Sequence, residues 1–200
     1  MDPLVEAVRL LGDFLYQHNI RFMLIGGLAN AIWGRARATT DADLVLVLGE
    51  RSIAEMVQLI GSRFRLLKAD PVEFAKRTYV VPVQVTDFVT ADLSLAILPY
   101  EQQAIERAAP VDIGGMTLPV CQAEDLIIYK AISEREKDWL DIQGVLNRHG
   151  KGLDQEYILN WLRQFAAALE RPELLPRYKN LVDKLSETGK TGDVPGSSVR

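Results

Sequence analysis

Residues 26–43, GGLANAIWGRARATTDAD, decide the fold of this chain. A short apolar run at 21–25 precedes the pair Gly26-Gly27, and an apolar, alanine-containing segment at 28–33 follows it. This order predicts a buried strand, a tight turn and a short helix. A second apolar strand is predicted over 43–48, so the stretch connects two strands through a helix.

Two features of this stretch predict a site for phosphate and metal. Asp41 and Asp43 are two residues apart on an extended chain, so both carboxylates point to one side. Two like charges this close are costly without a cation, and Mg²⁺ prefers carboxylate and phosphate oxygens. Backbone N–H groups at the helix start after Gly26-Gly27 can hold phosphates. A solvated loop and a simple tight turn are the alternative interpretations of the two motifs taken separately.

A third carboxylate is expected from the next pair of strands. Segments 78–85 and 91–98 are rich in β-branched and apolar residues and are predicted to form a hairpin. Asp92 begins the second strand, where it can ligate the same metal and accept the proton of an acceptor hydroxyl. Asp87 is the alternative. We prefer Asp92 because Asp87 falls in the turn, where aspartate is common for local hydrogen-bonding reasons.

The remaining patterns predict an α+β fold, a small mixed sheet core flanked by helices with a helical C-terminal part. Strand patterns concentrate before residue 120, and helices are predicted over 4–18, 53–61, 99–109, 123–134, 137–148, 154–168 and 172–187. We therefore expect a catalytic core at 1–120, a helical region at 121–187 and a disordered tail at 188–200. Segment 68–76 is interpreted as a loop without a recognisable acceptor-binding motif.

Composition limits the classes of function that the chain can have. It has 200 residues, a net charge of −4 and a single cysteine, Cys121. A mildly acidic chain does not hold long nucleic acid by overall attraction, although a local basic patch around an acceptor is compatible with it. Without an internal disulfide, a signal peptide or an apolar run long enough to span a bilayer, the chain is predicted to be soluble and cytoplasmic, with no membrane partner.

The motif over 26–44 resembles the signature of the DNA polymerase β-like nucleotidyltransferase superfamily, a glycine turn and short helix followed by Asp-x-Asp. The Arg-x-Thr-x-Asp-x-Asp form at 37–43 is most similar to the bacterial branch related to AbiEii-type toxin nucleotidyltransferases. Segments 124–130 and 136–142 also resemble that branch. The similarity runs over about residues 20–148.

This resemblance implies transfer of a nucleoside monophosphate from a nucleoside triphosphate to an acceptor hydroxyl, with Mg²⁺ or, in its place, Mn²⁺. The acceptor would be an RNA end, a protein or a small molecule, and a toxin would have an antitoxin protein as its partner. The implied metal ligands are Asp41, Asp43 and Asp92, and the implied nucleotide-binding residues are Gly26, Gly27, Arg37, Thr39, Lys130 and Asp138.

Alternatives accompany several of these assignments. Lys130 is expected to reach the triphosphate and Asp138 to orient Lys130 or the base. A solvated lysine, and surface pairs of Asp138 and Asp141 with Arg135 or Lys137, are the structural alternatives. For the whole chain, the alternatives are a non-catalytic nucleotide-binding module on the same fold and a metal-dependent phosphohydrolase that uses the same acids.

Overall fold

A computed structural model of the chain describes residues 2–36, 39–133 and 135–190, without the side chains of 151, 186 and 188–190. Its strands form one mixed seven-stranded sheet in the order β3-β4-β5-β2-β1-β7-β6. The strands are β1 (Phe22–Leu24), β2 (Asp41–Val47), β3 (Arg65–Leu66), β4 (Val80–Gln84), β5 (Thr90–Ala96), β6 (Ala109–Ile113) and β7 (Met116–Val120).

Helices precede, connect and follow these strands, which confirms the predicted α+β class. They are α1 (Pro3–Gln17), α2 (Gly26–Trp33), α3 (Ile53–Gly61), α4 (Pro71–Thr78), α5 (Pro99–Arg107), α6 (Ala123–Ile132), α7 (Glu136–His149), α8 (Gln155–Ala168) and α9 (Leu174–Lys190), with a 3₁₀ turn at Gly150–Gly152. The helix α9 reaches three residues into the segment predicted to be a disordered tail, and 191–200 lie outside the described residues.

The strand directions bring several strand ends to one edge of the sheet. β1 pairs antiparallel with β2, with Leu24 opposite Leu44, so the end of β1 lies beside the start of β2. β5 runs parallel to β2, and its first residue, Thr90, lies opposite Asp41. We call this edge, where β1 ends and β2 and β5 begin, the site edge. β7 also ends there, because it pairs parallel with β1.

Local capping explains where two of the helices begin. The predicted helix at 53–61 begins with a capping box, since the Ser52 hydroxyl accepts from the Glu55 N–H and the Glu55 carboxylate accepts from the Ser52 N–H. The loop interpretation of 68–76 is wrong. The Asp70 carboxylate accepts from the Glu73 N–H, and Pro71 occupies the first turn, so the segment starts helix α4.

The core lies between the sheet and its covering helices. Leu44 and Leu46 of β2 and Leu93 and Leu95 of β5 are buried, as strand alternation requires for one inward face. Cys121 is fully buried. In the part of the chain that the structure describes, no helix is long and apolar enough to cross a membrane.

Candidate active site

Asp43 and Asp92 lie directly opposite each other on the adjacent parallel strands β2 and β5. Directly opposed residues point to the same face of a sheet, and neighbouring strands are about 4.8 Å apart. Asp41 is two residues before Asp43 and points to that face as well. The sheet thus gathers the three predicted carboxylates at the site edge. Asp87 is exposed in the turn before β5, outside the ladder, so the geometry favours Asp92 over Asp87.

Asp41 is held by a residue that sequence reasoning missed. Thr90 lies opposite Asp41, and its hydroxyl donates to Asp41 Oδ1 at 2.6 Å. A second hydroxyl, from Thr40, lies 3.4 Å from Asp41 Oδ2. Only the register between β2 and β5 identifies Thr90, and the sequence carries no local signal for it.

The three acids are of the kind that a divalent cation prefers, because its usual ligands are carboxylate oxygens. In the structure, however, the described residues contain no cluster of three His, Cys, Asp or Glu side chains arranged to hold a metal. Asp41, Asp43 and Asp92 therefore suit a cation in residue type and share one face of the sheet, but their side chains would have to move closer together to hold one ion.

Gly26 and Gly27 hold the end of β1 against Asp43. The backbone of Gly26 has a φ of +65°, and a Cβ at this position would lie 1.9 Å from Asp43 Oδ2. The Gly27 N–H is close enough to the Asp43 carboxylate to lower its pKa, and a Cβ on Gly27 would lie 2.8 Å from Thr39 Oγ1. The pair is thus required for a close approach between the glycine turn and β2.

The carboxylates at the site edge are electrostatically coupled. Burial raises the pKa of Asp43, and the negative charges of Asp92 and Asp41 raise it further, while the Gly27 N–H and the positive charge of Lys130 oppose this. Burial also raises the pKa of Asp92, as does Asp41, while Lys68 lowers it. Both pKa values rise chiefly because the carboxylates are buried, and the neighbouring acids raise them further, which is an arrangement that a bound cation would stabilise.

Lys130 is buried rather than solvated. Its side chain is 5% exposed, and Nζ donates to Asp138 Oδ1 at 2.6 Å and to Asp141 Oδ2 at 2.7 Å. Asp138 also accepts from the Ser133 hydroxyl and, at 2.7 Å, from Arg135 Nε. The predicted pair of Asp138 with Arg135 is confirmed, but Asp138 and Asp141 are buried rather than at the surface, and both bind Lys130.

Asn30 extends this network toward the segment between α2 and β2. It is fully buried in α2, and its Nδ2 donates to the Arg35 carbonyl at 2.8 Å and to Asp141 Oδ1 at 3.1 Å. The chain from Lys130 to the Arg35 carbonyl therefore connects α6 and α7 with the segment that leads to Asp41. Asn30 could have been identified from the sequence, because it is the one polar residue inside the apolar segment 28–33.

Two other predicted nucleotide-binding residues lie in that segment. Thr39 is half-buried, and its hydroxyl lies 3.3 Å from the Asp41 carbonyl oxygen. Arg37 lies outside the described residues. The structure therefore places Thr39 beside Asp41 and Gly27, at the site edge.

The sequence over residues 4–171 matches the model of a family described as "Nucleotidyl transferase of unknown function (DUF2204)". This match covers most of the chain and confirms the predicted nucleotidyltransferase family, but it does not identify the AbiEii-type branch. No curated protein sequence matches the chain.

Solved nucleotidyltransferase structures share the fold. An antigenic nucleotidyltransferase-like protein from Paracoccidioides brasiliensis is 18% identical, with a TM-score of 0.54 over 90% of this chain and 93% of that chain. The solution structure of the antibiotic-resistance factor ANT(2'')-Ia is 18% identical, with a TM-score of 0.58 over 86% of this chain and 98% of that chain. Likeness at these identities shows the fold alone.

Proposed function

The chain belongs to the nucleotidyl transferase family DUF2204, and from this membership we propose that it moves a nucleoside monophosphate from a nucleoside triphosphate to an acceptor hydroxyl with Mg²⁺. One observation carries the proposal: Asp43 and Asp92 oppose each other in register, with Asp41 on the same face, beside the Gly26-Gly27 turn.

In the proposed reaction the acceptor oxygen attacks the α-phosphorus of the triphosphate. The new bond joins that oxygen to the α-phosphorus, the bond to the bridging oxygen of the β-phosphate breaks, and pyrophosphate leaves. Mg²⁺, or Mn²⁺ in its place, held by Asp41, Asp43 and Asp92, would neutralise the phosphates and orient them when bound.

The side chains around the metal ligands have separable tasks in this proposal. Asp92 is exposed on β5, the strand farther from the glycine turn, and it takes the proton of the acceptor hydroxyl. Gly26 and Gly27 keep space for the triphosphate beside Asp43. Lys130 acts from its buried position, because its charge lowers the pKa of Asp43, and it fixes α6 and α7 behind the site.

The assignment of Asp43 is tested with α-³²P-labelled nucleoside triphosphates, Mg²⁺ and separate pools of RNA, protein and small molecules. The substitution Asp43→Asn should reduce label transfer by at least 100-fold, because it removes one anionic ligand, while nucleotide binding and the far-ultraviolet circular dichroism spectrum are retained. ATP is the first nucleotide to test, since the structure of one fold relative holds adenylyl-2"-tobramycin.

Asp87→Asn is the matched control, because Asp87 lies only five residues from Asp92 but is exposed in the turn. It should transfer label at the wild-type rate. Full activity in Asp43→Asn, or equal losses in Asp43→Asn and Asp87→Asn, would show that this group of acids does not form the site.

The likeness of 37–43 and 136–142 to the AbiEii-type branch supports a further proposal, that the chain is the toxin of a toxin–antitoxin or abortive-infection system. Induced expression of the wild type in bacteria should then arrest growth, and expression of Asp43→Asn should not. Equal growth with both proteins would refute the toxin role and leave the transfer reaction unaffected.

A further inference from the structure

The strands that carry the three carboxylates, β2 and β5, are neighbours in the middle of the sheet. β1 and the Gly26-Gly27 turn lie on the β2 side of this pair, and β4 and β3 lie on its β5 side. In the proposed function the triphosphate occupies the side of the glycine turn. The acceptor therefore approaches from the side of Asp92, over β4 and β3.

Two rows of opposed residues extend the face of the carboxylates in that direction. One row runs from Asp41 through Thr90 and Gln84 to Arg65. The second runs from Asp43 through Asp92 and Pro82 to Leu67, whose N–H donates to the Pro82 carbonyl at 3.0 Å. All members of a row point to the same face. We call the outer part of these rows, Arg65, Leu67, Pro82 and Gln84, the acceptor shelf.

Positive charge is concentrated beside the acceptor shelf. Segment 63–79 contains five Lys or Arg and two Asp or Glu residues, a net charge of +3 in a chain whose net charge is −4. Lys68 Nζ lies 4.8 Å and Arg77 Cζ 6.0 Å from the centre of the Phe74 ring. In the described ranges neither Lys68 nor Arg77 forms an ion pair, and Lys68 is close enough to Asp92 to lower its pKa.

An exposed aromatic residue lies in the turn between Gln84 of the acceptor shelf and Thr90 of the site edge. Phe88 is 82% exposed in the turn between β4 and β5. It precedes Thr90, which bonds to Asp41, by two residues, so it lies within about 7 Å of chain from the site edge. No folding requirement explains a phenyl ring that is almost fully in water, because it buries little area.

On the basis of the proposed transferase function, we propose that the acceptor is the end of a single-stranded nucleic acid, bound on the acceptor shelf with its phosphates at Arg65, Lys68 and Arg77 and a base stacked on Phe88. Basic side chains that follow a backbone, together with an aromatic ring that stacks a base, are the two parts of single-strand recognition. An acidic peptide would use the cations but has no group that requires Phe88.

The test measures binding of a fluorescein-labelled, mixed-sequence 12-nucleotide single-stranded RNA by fluorescence anisotropy, without nucleotide. The triple variant Arg65→Gln/Lys68→Gln/Arg77→Gln should bind at least tenfold more weakly at 50 mM salt. The slope of log Kd against log salt should fall by about 2, for three lost phosphate contacts. Phe88→Ala should weaken binding about tenfold, as the loss of one stacked base does.

Matched controls separate these effects from general changes of charge or hydrophobicity. Arg163→Gln/Lys179→Gln removes two exposed cations from α8 and α9, and Leu140→Ala removes another exposed apolar side chain, which is 68% exposed. Both should bind the RNA like the wild type. Equal losses in the test and control variants would overturn the proposal. The proposal would also be overturned, in favour of an acidic peptide, if polyglutamate bound with the same Kd as the RNA and Phe88→Ala left that Kd unchanged.

The transfer assay distinguishes failure of this inference from failure of the proposed function. In one outcome, label moves to a protein or small molecule, and the wild type and the triple variant bind RNA equally well. This result would show that the acceptor shelf does not bind RNA, while the proposed transferase function would stand. Label that moves to the 12-nucleotide RNA and is lost in both Asp43→Asn and the triple variant supports both. Asp43→Asn should still bind the RNA, because the shelf lies outside the metal ligands.

Discussion

Gly26 has a φ of +65° and stands where a Cβ would lie 1.9 Å from Asp43 Oδ2. Glycine is therefore required at this position for two physical reasons. The left-handed backbone disfavours any side chain, and the contact with Asp43 leaves no space for even a methyl group. The left-handed backbone affects stability, whereas the contact affects the position of Asp43, the proposed metal ligand.

Gly26→Ala should lower the rate of label transfer by about 100-fold or more, because the added methyl group displaces the Asp43 carboxylate by an ångström or more. It should also lower the free energy of unfolding by roughly 1–2 kcal/mol through backbone strain. The transfer assay and urea-induced unfolding measure the two effects separately.

Gly49→Ala separates the effect of backbone strain from the effect of displacing the Asp43 carboxylate. Gly49 has a φ of +62°, almost the value of Gly26, but a Cβ there has no atom within 4 Å among the described residues. The variant should lose a similar amount of stability and keep its transfer rate. A similar loss of rate in both variants would mean that strain alone, and not contact with Asp43, explains the glycine.

At the scale of elements, the buried ion pairs of Lys130 connect α6 with α7, and Asn30 connects α7 with α2. Buried charges are costly unless each has a partner. Asp138 is the clearest case, because its pKa lies below the usual range despite burial, owing to hydrogen bonds from Lys130, Ser133 and Arg135. These helices are therefore held together by charge pairing as well as by apolar contact.

Lys130→Met should lower the free energy of unfolding by about 3–5 kcal/mol, because it leaves Asp138 and Asp141 buried without their shared cation. Urea-induced unfolding followed by circular dichroism measures the loss. The control is Lys76→Met, which removes an exposed ion pair with Glu73 and should change stability little.

A triple variant keeps this prediction testable if Lys130→Met does not fold. Lys130→Met/Asp138→Asn/Asp141→Asn removes the buried charges together, so it should be more stable than the single variant. A triple variant less stable than Lys130→Met would show that the uncompensated carboxylates are not the cause.

The elements also show how far local sequence signals reach. The helical pattern at 53–61 predicted α3, and the β-branched and apolar residues of 91–98 predicted β5, because each signal depends on neighbours in sequence. The signal of Asp70-Pro71 for α4 was present but was interpreted as a loop. Thr90 and the partners of Lys130 could not be predicted, since they depend on the register of distant strands and on helix packing.

At the scale of the whole molecule, one buried acid joins the sheet-containing part to the helical C-terminal part. Asp125 of α6 accepts from the Tyr157 hydroxyl of α8 at 2.7 Å. Arg107 of α5 lies 3.6 Å from the other carboxylate oxygen and stacks on the Tyr157 ring, with Cζ 3.8 Å from its centre. The contact crosses residue 120, which stays the predicted boundary between the two parts.

The stability of this junction should depend on pH. Burial raises the pKa of Asp125, and the Tyr157 hydroxyl and Arg107 charge offset this only in part. The folded chain therefore binds the proton at a higher pH than the unfolded chain does. The carboxyl group contributes its full stability below its unfolded pKa of about 4, and this contribution is lost as pH rises through the raised folded pKa.

Asp125→Asn, which cannot titrate, isolates that contribution from every other acid in the chain. The free energy of unfolding of the wild type minus that of Asp125→Asn should fall as the pH is raised from 4 to 7, with urea titrations at each pH as the measurement. Titrations of other groups cancel in this difference, because both proteins contain them. A difference that is constant or that grows with pH would mean that Arg107 and Tyr157 stabilise the ionised carboxylate by at least as much as burial costs, and that the junction is an ordinary ion pair.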